Sequence, residues 1–374
     1  MTLTVSLIPC QFASGNEAEI ARDFGADAVT TPADFLRFVA TGRKPETRQR
    51  VWRGPQGFVL SMGGNTGLAL KLAHRLGYPG YRYAFNPYLH RRLRRLFVAD
   101  ARAAKRSRLL GAPAHRVEVV GNLVADAAQN AERAPRPGRP HIVVMTGSRN
   151  SMAIHLIPFM LAVVERLGAQ FPEARFVWPV SRLLSDESVT AGIAGRDKAT
   201  LGGVAGRRDG NLVTTPSGYA VEIIAEGERY AHMRAADLAL TIPGTNTLEL
   251  GIAGVPSVVV LPLNKPEVIP LEGPGHWLSL IPLVGTALKR QAVLLAAPRF
   301  PVALPNHISG EDLMLEIKGK VSAEGVAAGM RTLLEDPEEL ARRRERLRAT
   351  MPRPGAAKAL VARILEDLEE DARA

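Results

Sequence analysis

The chain has 374 residues, room for two or three domains at roughly 150 residues each. Its 46% hydrophobic content can fill a core without staples, and the single Cys10 excludes an internal disulfide framework and a multi-cysteine zinc site. The net charge of +11, from 48 basic and 37 acidic residues, favours anionic ligands such as nucleotide phosphates or lipid headgroups. There is no zinc-finger spacing or RNP-like aromatic signature, so no nucleic-acid partner is expected. The opening MTLTVSLIPCQF lacks a basic n-region and a long apolar run. No run of about 18 consecutive apolar residues marks a spanning helix, so a cytoplasmic location is expected.

Short β-branched runs alternate with longer amphipathic stretches, the rhythm of parallel sheets with crossover helices. Strands are predicted at residues 3–8, 57–61, 81–85 and 117–120, with a helix over 66–76. AERAPRPGRP, residues 131–140, has three prolines and no apolar period, and reads as a linker. Beyond it the pattern restarts: strand 141–145, helix 151–168, strand 175–180, a glycine-rich polar stretch near 192–210 and strand 211–215. Helix 219–233, strand 237–242, helix 246–253 and strand 256–263 follow. Asp336 and Pro337 have the chemistry of an N-cap and first helical position. A last helix over about 355–370 carries an apolar stripe of Leu360, Val361, Ile364, Leu365 and Leu368, which must pack on something.

Two strand–turn–helix junctions carry chemistry. In VVMTGSRNS, residues 143–151, free N–H groups at a helix start can hold a phosphate. Gly147 lets the backbone approach closely, Ser148 can donate a hydrogen bond and Arg149 can balance phosphate charge. In LTIPGTNTLELGIAGVPSVVV, residues 240–260, Gly244, Thr245 and Thr247 can surround a diphosphate. Glu249, placed in the first turn of the helix, can accept the hydroxyls of a ribose. The plain alternatives are a Gly-Ser turn kept for geometry, Thr245 as an N-cap, and Glu249 answering the helix dipole. Both turns are expected at the carboxyl ends of strands in one sheet, where open α/β sheets bind ligands.

Residues 141–350 resemble the C-terminal domain of lipid-A-disaccharide synthase and its relatives, which have the GT-B glycosyltransferase fold. TGSRNSMAIHLIPFMLAVVERL, AADLALTIPGTNTLELGIAGVPSVVV and LPNHISGEDLMLEI (304–317) carry the resemblance, with VVGNLVADA (119–127) before the linker. It implies a nucleotide-sugar site made of Gly147, Ser148, Arg149, Gly244, Thr245, Thr247, Glu249, Asn306 and Glu316. Two positions depart from the family: its serine before Gly-Thr is Pro243, and its glutamine three residues after Glu316 is Gly319.

LSMGGNTGLALKLAHRLGYP, residues 60–79, resembles the glycine-rich acceptor-domain turn of the peptidoglycan N-acetylglucosaminyltransferase. Gly63, Gly64 and Asn65 stand where lipid-A-disaccharide synthase has an aspartate-rich turn, so no carboxylate is present there. The transfer needs a base for the acceptor hydroxyl; Glu17, Glu19 and His74 are the candidates. SGNEAEIA, 14–21, matches either the family's first loop or a later one, and in the second case the first βα unit is lacking.

The expected fold is therefore α/β, GT-B, with two Rossmann-like domains whose parallel sheets face a cleft. The expected parts are an acceptor-side domain over 1–133, a nucleotide-sugar-binding domain over 141–350, and a helix over 355–374 packing back on the first domain. The resemblance implies metal-independent transfer of a hexose from a nucleotide sugar, UDP-linked, to a lipid or lipid-linked acceptor, with no cofactor. A non-hydrolysing nucleotide-sugar epimerase and an inactive GT-B-like binding protein are the alternatives. Basic clusters stand at 91–95 (RRLRR), 102–108 and 341–348. RRLRR together with the apolar segment 276–288 suggests peripheral contact with the inner face of the cell membrane. GPGHW, 273–277, reads as a turn or a flap over the donor.

Overall fold

Parallel strands can be joined only through long crossovers, so strands that alternate with amphipathic stretches settle into sheets covered by helices. A computed structural model describes residues 2–10, 13–43, 56–63, 65–84, 88–129, 134, 139–264 and 300–373. Gly64, most of the 131–140 linker, and the segments 273–277 and 276–288 lie outside the described residues. The chain divides into two compact units, residues 1–127 with 352–374, and residues 128–351.

The first unit begins with β1 (Thr4–Ser6), α1 (Glu17–Asp23), β2 (Ala28–Thr30) and α2 (Pro32–Thr41). It continues with β3 (Val59–Met62), α3 (Thr66–Leu76), β4 (Gly80–Tyr83), β5 (Arg95–Val98), α4 (Ala101–Leu109), β6 (Val117–Val119) and α5 (Leu123–Gln129), which runs into the second unit. β1 and β2 form a parallel pair, and β3-β4-β5-β6 form a parallel sheet in sequence order. Phe35, Phe38, Ala28 and Leu72 pack together between these parts.

The second unit holds β7 (His141–Val144), α6 (Asn150–Gln170), β8 (Arg175–Pro179), α7 (Asp186–Ile193), β9 (Arg207–Asp209), β10 (Leu212–Thr214) and β11 (Ala220–Ile224). Then come α8 (Arg229–Ala235), β12 (Leu238–Thr241), α9 (Thr245–Ala253), β13 (Ser257–Pro262), α10 (Leu304–Ser309), β14 (Leu315–Gly319), α11 (Ala323–Leu334) and α12 (Pro337–Thr350). Its sheet runs β14-β13-β12-β7-β8-β11-β10-β9, parallel except where β10 meets β11 and β9. Most of α6 is buried all round, including Leu156, Ile157, Phe159 and Met160. A helix apolar on every side belongs in a core. At 21 residues it is long and apolar enough to cross a membrane, but 72% of that apolar window is buried inside this unit. The polar residues that break its apolar run explain why no uninterrupted stretch marked it in the sequence.

The predicted helix over 219–233 is corrected. Residues 220–224, AVEII, form β11, because alternating β-branched side chains suit a half-buried strand paired with β8. Only Arg229–Ala235 are α-helical.

The last helix, α13 (Ala356–Arg373), packs within the first unit. Leu360 and Ile364 are buried beside Tyr81, Tyr83, Phe97 and Val120. Val361 and Leu365 of the expected stripe are instead exposed. The unforeseen contact is Asp367, fully buried, which accepts from Arg95 Nε at 3.0 Å and Nη2 at 2.5 Å. This corrects the membrane reading of RRLRR in part: Arg95 is buried in that pair and Arg94 is paired with Asp371 at 2.8 Å. Burial raises the Asp367 carboxyl, but hydrogen bonds and charge from Arg95 and Arg363 outweigh it and leave it below its ordinary 3.8.

Removing one partner of a buried pair strands the other charge, at about 3–5 kcal/mol. Asp367→Ala is expected to lose that much in denaturant unfolding at neutral pH. Because the folded pKa is depressed, the pair's contribution is present above about pH 3.8. It fades as the pH falls further through the folded pKa, so the variant and the parent converge in acid.

Candidate functional site

The site is built where the second unit's sheet changes direction. From β7 the chain goes to β8 and β11 on one side, then returns to place β12 on the other side of β7. Strands β7 and β12 pair in parallel, Leu240 opposite Val144, and Met145 N–H donates to the Leu240 carbonyl at 2.8 Å. The turns that follow these two strands are therefore neighbours at one carboxyl edge, at the crevice where open α/β sheets hold ligands.

Their contact is close. Gly147 has φ +83°, and a Cβ placed there would lie 2.7 Å from Ile242 Cδ1 of the second turn. Gly244, at φ +148°, begins α9. Ser148, Gly244 and Thr245 are exposed at the mouth, and Arg149 is half-buried. Neither α6, preceded by Arg149, nor α9, preceded by Gly244, has a side-chain cap on its first N–H groups. Thr31, Asn65, Asp100, Ser185, Ser322 and Asp336 cap α2, α3, α4, α7, α11 and α12, while α1, α8 and α10 also start without a side-chain cap, so it is the adjacency of the α6 and α9 starts that sets them apart. Two uncapped helix starts in neighbouring turns offer N–H groups and positive dipole ends at the same edge of the sheet, features that favour phosphate. Thr146 Oγ1, in the first turn, is buried without a hydrogen-bond partner among the described residues.

Glu249 is the fifth residue of α9, not in its first turn as expected. Its Oε1 accepts from Arg229 Nη2 at 3.0 Å and from Tyr230 Oη at 3.1 Å. Arg229 also bonds Glu226 at 2.7 Å, and its guanidinium lies over the Tyr230 ring at 4.5 Å. Burial raises the Glu249 carboxyl above its ordinary value, and the Arg229 charge pulls against that rise. Burial, and then the Glu249 charge, push the Tyr230 phenol up to about 12, which keeps it a hydrogen-bond donor. The sequence reading missed Arg229, Tyr230 and Glu226. They come from α8 and the turn before it, a separate segment with no periodic link to Glu249.

Three other expected site residues turn inward. Thr247 is fully buried; its Oγ1 donates to the Gly244 carbonyl at 2.8 Å and accepts from Leu304 N–H at 3.1 Å. Asn306 is buried and holds Met314 through both its backbone groups, while Nδ2 also reaches Glu316 at 3.0 Å. Glu316 Oε1 accepts from the N–H groups of Val302 and Ala303, both at 2.9 Å, and Oε2 pairs with Lys318. These three hold the 300–306 segment and α10 against β14 and α9. Asn246, not foreseen, holds the second turn by donating to Thr241 Oγ1 and the Ile242 carbonyl.

In the first unit, Asn65 caps α3 by accepting from Gly67 and Leu68 N–H, and Gly63 has φ +81°. Glu17 closes its own loop, accepting from Ser14 N–H at 2.6 Å and Gly15 N–H at 2.9 Å. Burial raises its carboxyl, but those bonds outweigh it and leave it below the ordinary value, which makes it a poor base. His74 is in the last turn of α3, roughly 12 Å along the helix from its start and from the Gly63 turn. Glu19 is exposed in the first turn of α1.

With these units in view, the comparisons with known proteins define a class and then a kinship. The fold is that of the GT-B class. A protein described as a UDP-N-acetylglucosamine 2-epimerase from Listeria monocytogenes matches 99% of this chain and 98% of its own, with TM-score 0.52 and 14% identity. The S. aureus MnaA–UDP co-structure matches 99% and 97%, with TM-score 0.51 and 13% identity. In sequence the chain is similar to lipid-A-disaccharide synthases. The family model for lipid-A-disaccharide synthetase matches residues 212–267, which include β12, the second turn and α9. The lipid-A-disaccharide synthase of Anaeromyxobacter dehalogenans (strain 2CP-1) is 31% identical over 237 residues, 62% of this chain and 50% of the relative. That of Geobacter sulfurreducens is 24% identical over 202 residues, 54% and 41%. The chain thus spans about half the length of the curated relatives it matches.

The two kinds of residue separate by experiment. Asn306→Ala strands buried groups and is expected to lose about 1–3 kcal/mol of stability in urea unfolding, with unchanged nucleotide affinity. Gly147→Ala forces an alanine into positive φ, at about 1–2 kcal/mol, and pushes on Ile242; it is expected to lower nucleotide affinity at least tenfold by isothermal titration.

Proposed function

We propose that this protein is a glycosyltransferase that moves a sugar from a UDP-linked donor to a lipid or lipid-linked acceptor. The convergence of two uncapped helix starts at the β7–β12 crevice, in a segment related to lipid-A-disaccharide synthases, carries this reading. The donor's diphosphate sits against the N–H groups that follow Gly147 and Gly244, with Ser148 and Thr245 donating and Arg149 balancing charge. Glu249 takes the ribose hydroxyls. The acceptor oxygen attacks the anomeric carbon, the bond from that carbon to the diphosphate oxygen breaks, and the acceptor proton passes to a base. Negative charge grows on the departing diphosphate, and the helix starts and Arg149 meet it there without a metal ion. In this reading Gly63 and Asn65 serve the acceptor. We further propose that the protein works at the inner face of the cell membrane as a peripheral protein.

A second reading rests on the first unit: Glu17 is engaged in its own loop and His74 stands far from the turn. A binding protein of the same fold, without turnover, is consistent with that. Glu19, exposed in the first turn of α1, is the carboxylate left to test as the base.

Titration with UDP should raise the melting temperature by mass action, and Arg149→Ala and Glu249→Ala should each remove most of the shift. No shift with UDP or any UDP-sugar contradicts the donor site. Release of UDP that needs a lipid acceptor and falls at least a hundredfold in Glu19→Gln supports the transferase. Conversion of the UDP-sugar without acceptor supports an epimerase, and binding with no turnover supports the binding protein.

A further inference from the structure

Two imidazoles meet inside the second unit, at the amino edge of its sheet. His141, the first residue of β7, is fully buried, and His232 of α8 is 7% exposed. Their rings lie nearly parallel, 20° apart with centroids at 5.5 Å, and His232 Nδ1 is 3.4 Å from His141 Nε2. Neutral rings satisfy that contact, one nitrogen donating and the other accepting. A first proton must enter a buried site, and a second sets two N–H groups face to face.

The pair joins two parts of the donor site. His141 opens the strand that leads to the Gly147 turn. Its N–H donates to Asp237 Oδ2 at 2.9 Å, and its carbonyl accepts from Asp237 N–H at 2.8 Å, just before β12. His232 follows Arg229 by three residues, one turn along the same face of α8. Arg229 and Tyr230 are the groups that hold Glu249. With seven residues, α8 is too short to be stable on its own. Its buried residues are His232, Met233 and Ala235, and of these only His232 can change charge. The charged groups set around the pair are Arg175 of β8, Glu222 of β11, Glu228 before α8, Asp237 before β12 and Arg344 of α12. Arg175 is paired with Glu222 at 2.5 Å, and Arg344 donates to the Ala236 and Asp237 carbonyls. Burial, and then the Arg175 charge, hold His232 below its ordinary 6.5, against the pull of Glu222 and Glu228.

We propose that the His141–His232 pair is a proton-operated latch on the donor site. With both rings neutral, α8 stays against β7 and keeps Arg229 and Tyr230 on Glu249. In mild acid a proton on the pair drives His232 towards water, α8 shifts, and the donor is held less tightly. The coupling rests on the donor site proposed above; the latch itself does not. The unfolded chain takes up this proton near pH 6.5, and the folded chain resists it to lower pH. The pair's contribution to stability is therefore present above pH 6.5 and is lost as the pH falls through the folded value. The loss is at most about tenfold in the unfolding equilibrium constant per pH unit for each proton.

Urea unfolding and UDP titration calorimetry at about pH 5.5 and pH 7.8 test this on the full chain. The parent is compared with His232→Asn and His141→Gln, amides that reproduce the two facing nitrogens and do not titrate. UDP changes its own charge over this range in every sample, so the difference between parent and variant isolates the pair. Between the two pH values the parent is expected to lose at least tenfold more in the unfolding constant than either variant, and at least fivefold more in UDP affinity. Equal pH slopes in parent and variants overturn the latch. A stability difference with equal loss of UDP affinity overturns its coupling to the donor site. Absence of UDP binding at pH 7.8 overturns the donor-site reading and the coupling with it, while the unfolding slopes still decide the latch. If neither variant folds, hydrogen exchange of the parent decides, with rates corrected for pH. The 226–237 peptide is then expected to lose protection in acid ahead of the rest of the second unit, and uniform protection overturns the latch.

Discussion

The parallel pairing of β7 with β12 is the constraint on which the rest depends. It sets two turns, about a hundred residues apart in sequence, against each other. Gly147 lacks the one atom that would collide with Ile242. Without that close approach the starts of α6 and α9 would be separate dipole ends, each worth little in water. Side by side, they bring N–H groups and partial positive charge to the same edge, with Arg149 next to the first of them. Thr247, Asn306 and Glu316 keep α9 and the 300–306 segment in place behind that point.

Glu249 illustrates how a buried carboxylate is kept useful. Burial alone favours its neutral form, and a neutral acid is a weaker acceptor for a hydroxyl. Arg229 and Tyr230 both donate to one oxygen and oppose that drift. Tyr230 cannot readily ionise in this setting, so it remains a donor. The guanidinium is in turn oriented by Glu226 and by the ring it covers. The electrostatics are therefore set by α8 and its leading turn as much as by α9.

Much of this was legible in the sequence where the signal is local. Residues 66–76 have helical period with Asn65 before them, and the helix forms there with Asn65 as its cap. Asp336 and Pro337 start α12. Both strand–turn–helix junctions occur where glycine and β-branched runs placed them. What was not legible is long-range. Strand order is not written in any local period: the pattern places both turns in one sheet, and only the structure shows that β7 and β12 are neighbours. The sequence reading places AVEII within a helix over 219–233, and pairing with β8 makes it a strand instead. Asn306, Glu316 and Thr247 have the residue types of a ligand site, and only burial and partners show that they hold the scaffold. Asp367 lies in a charged helix and gave no sign that Arg95, 272 residues away, would bury it.

The central claim is that one ligand engages both turns at once. Hydrogen–deuterium exchange, read by mass spectrometry with and without saturating UDP, tests this most directly. Slowed exchange is predicted together in peptides covering residues 145–152 and 243–250, with no comparable change in the first unit's 60–70 peptide. Protection of one turn alone, or of neither, would contradict the account.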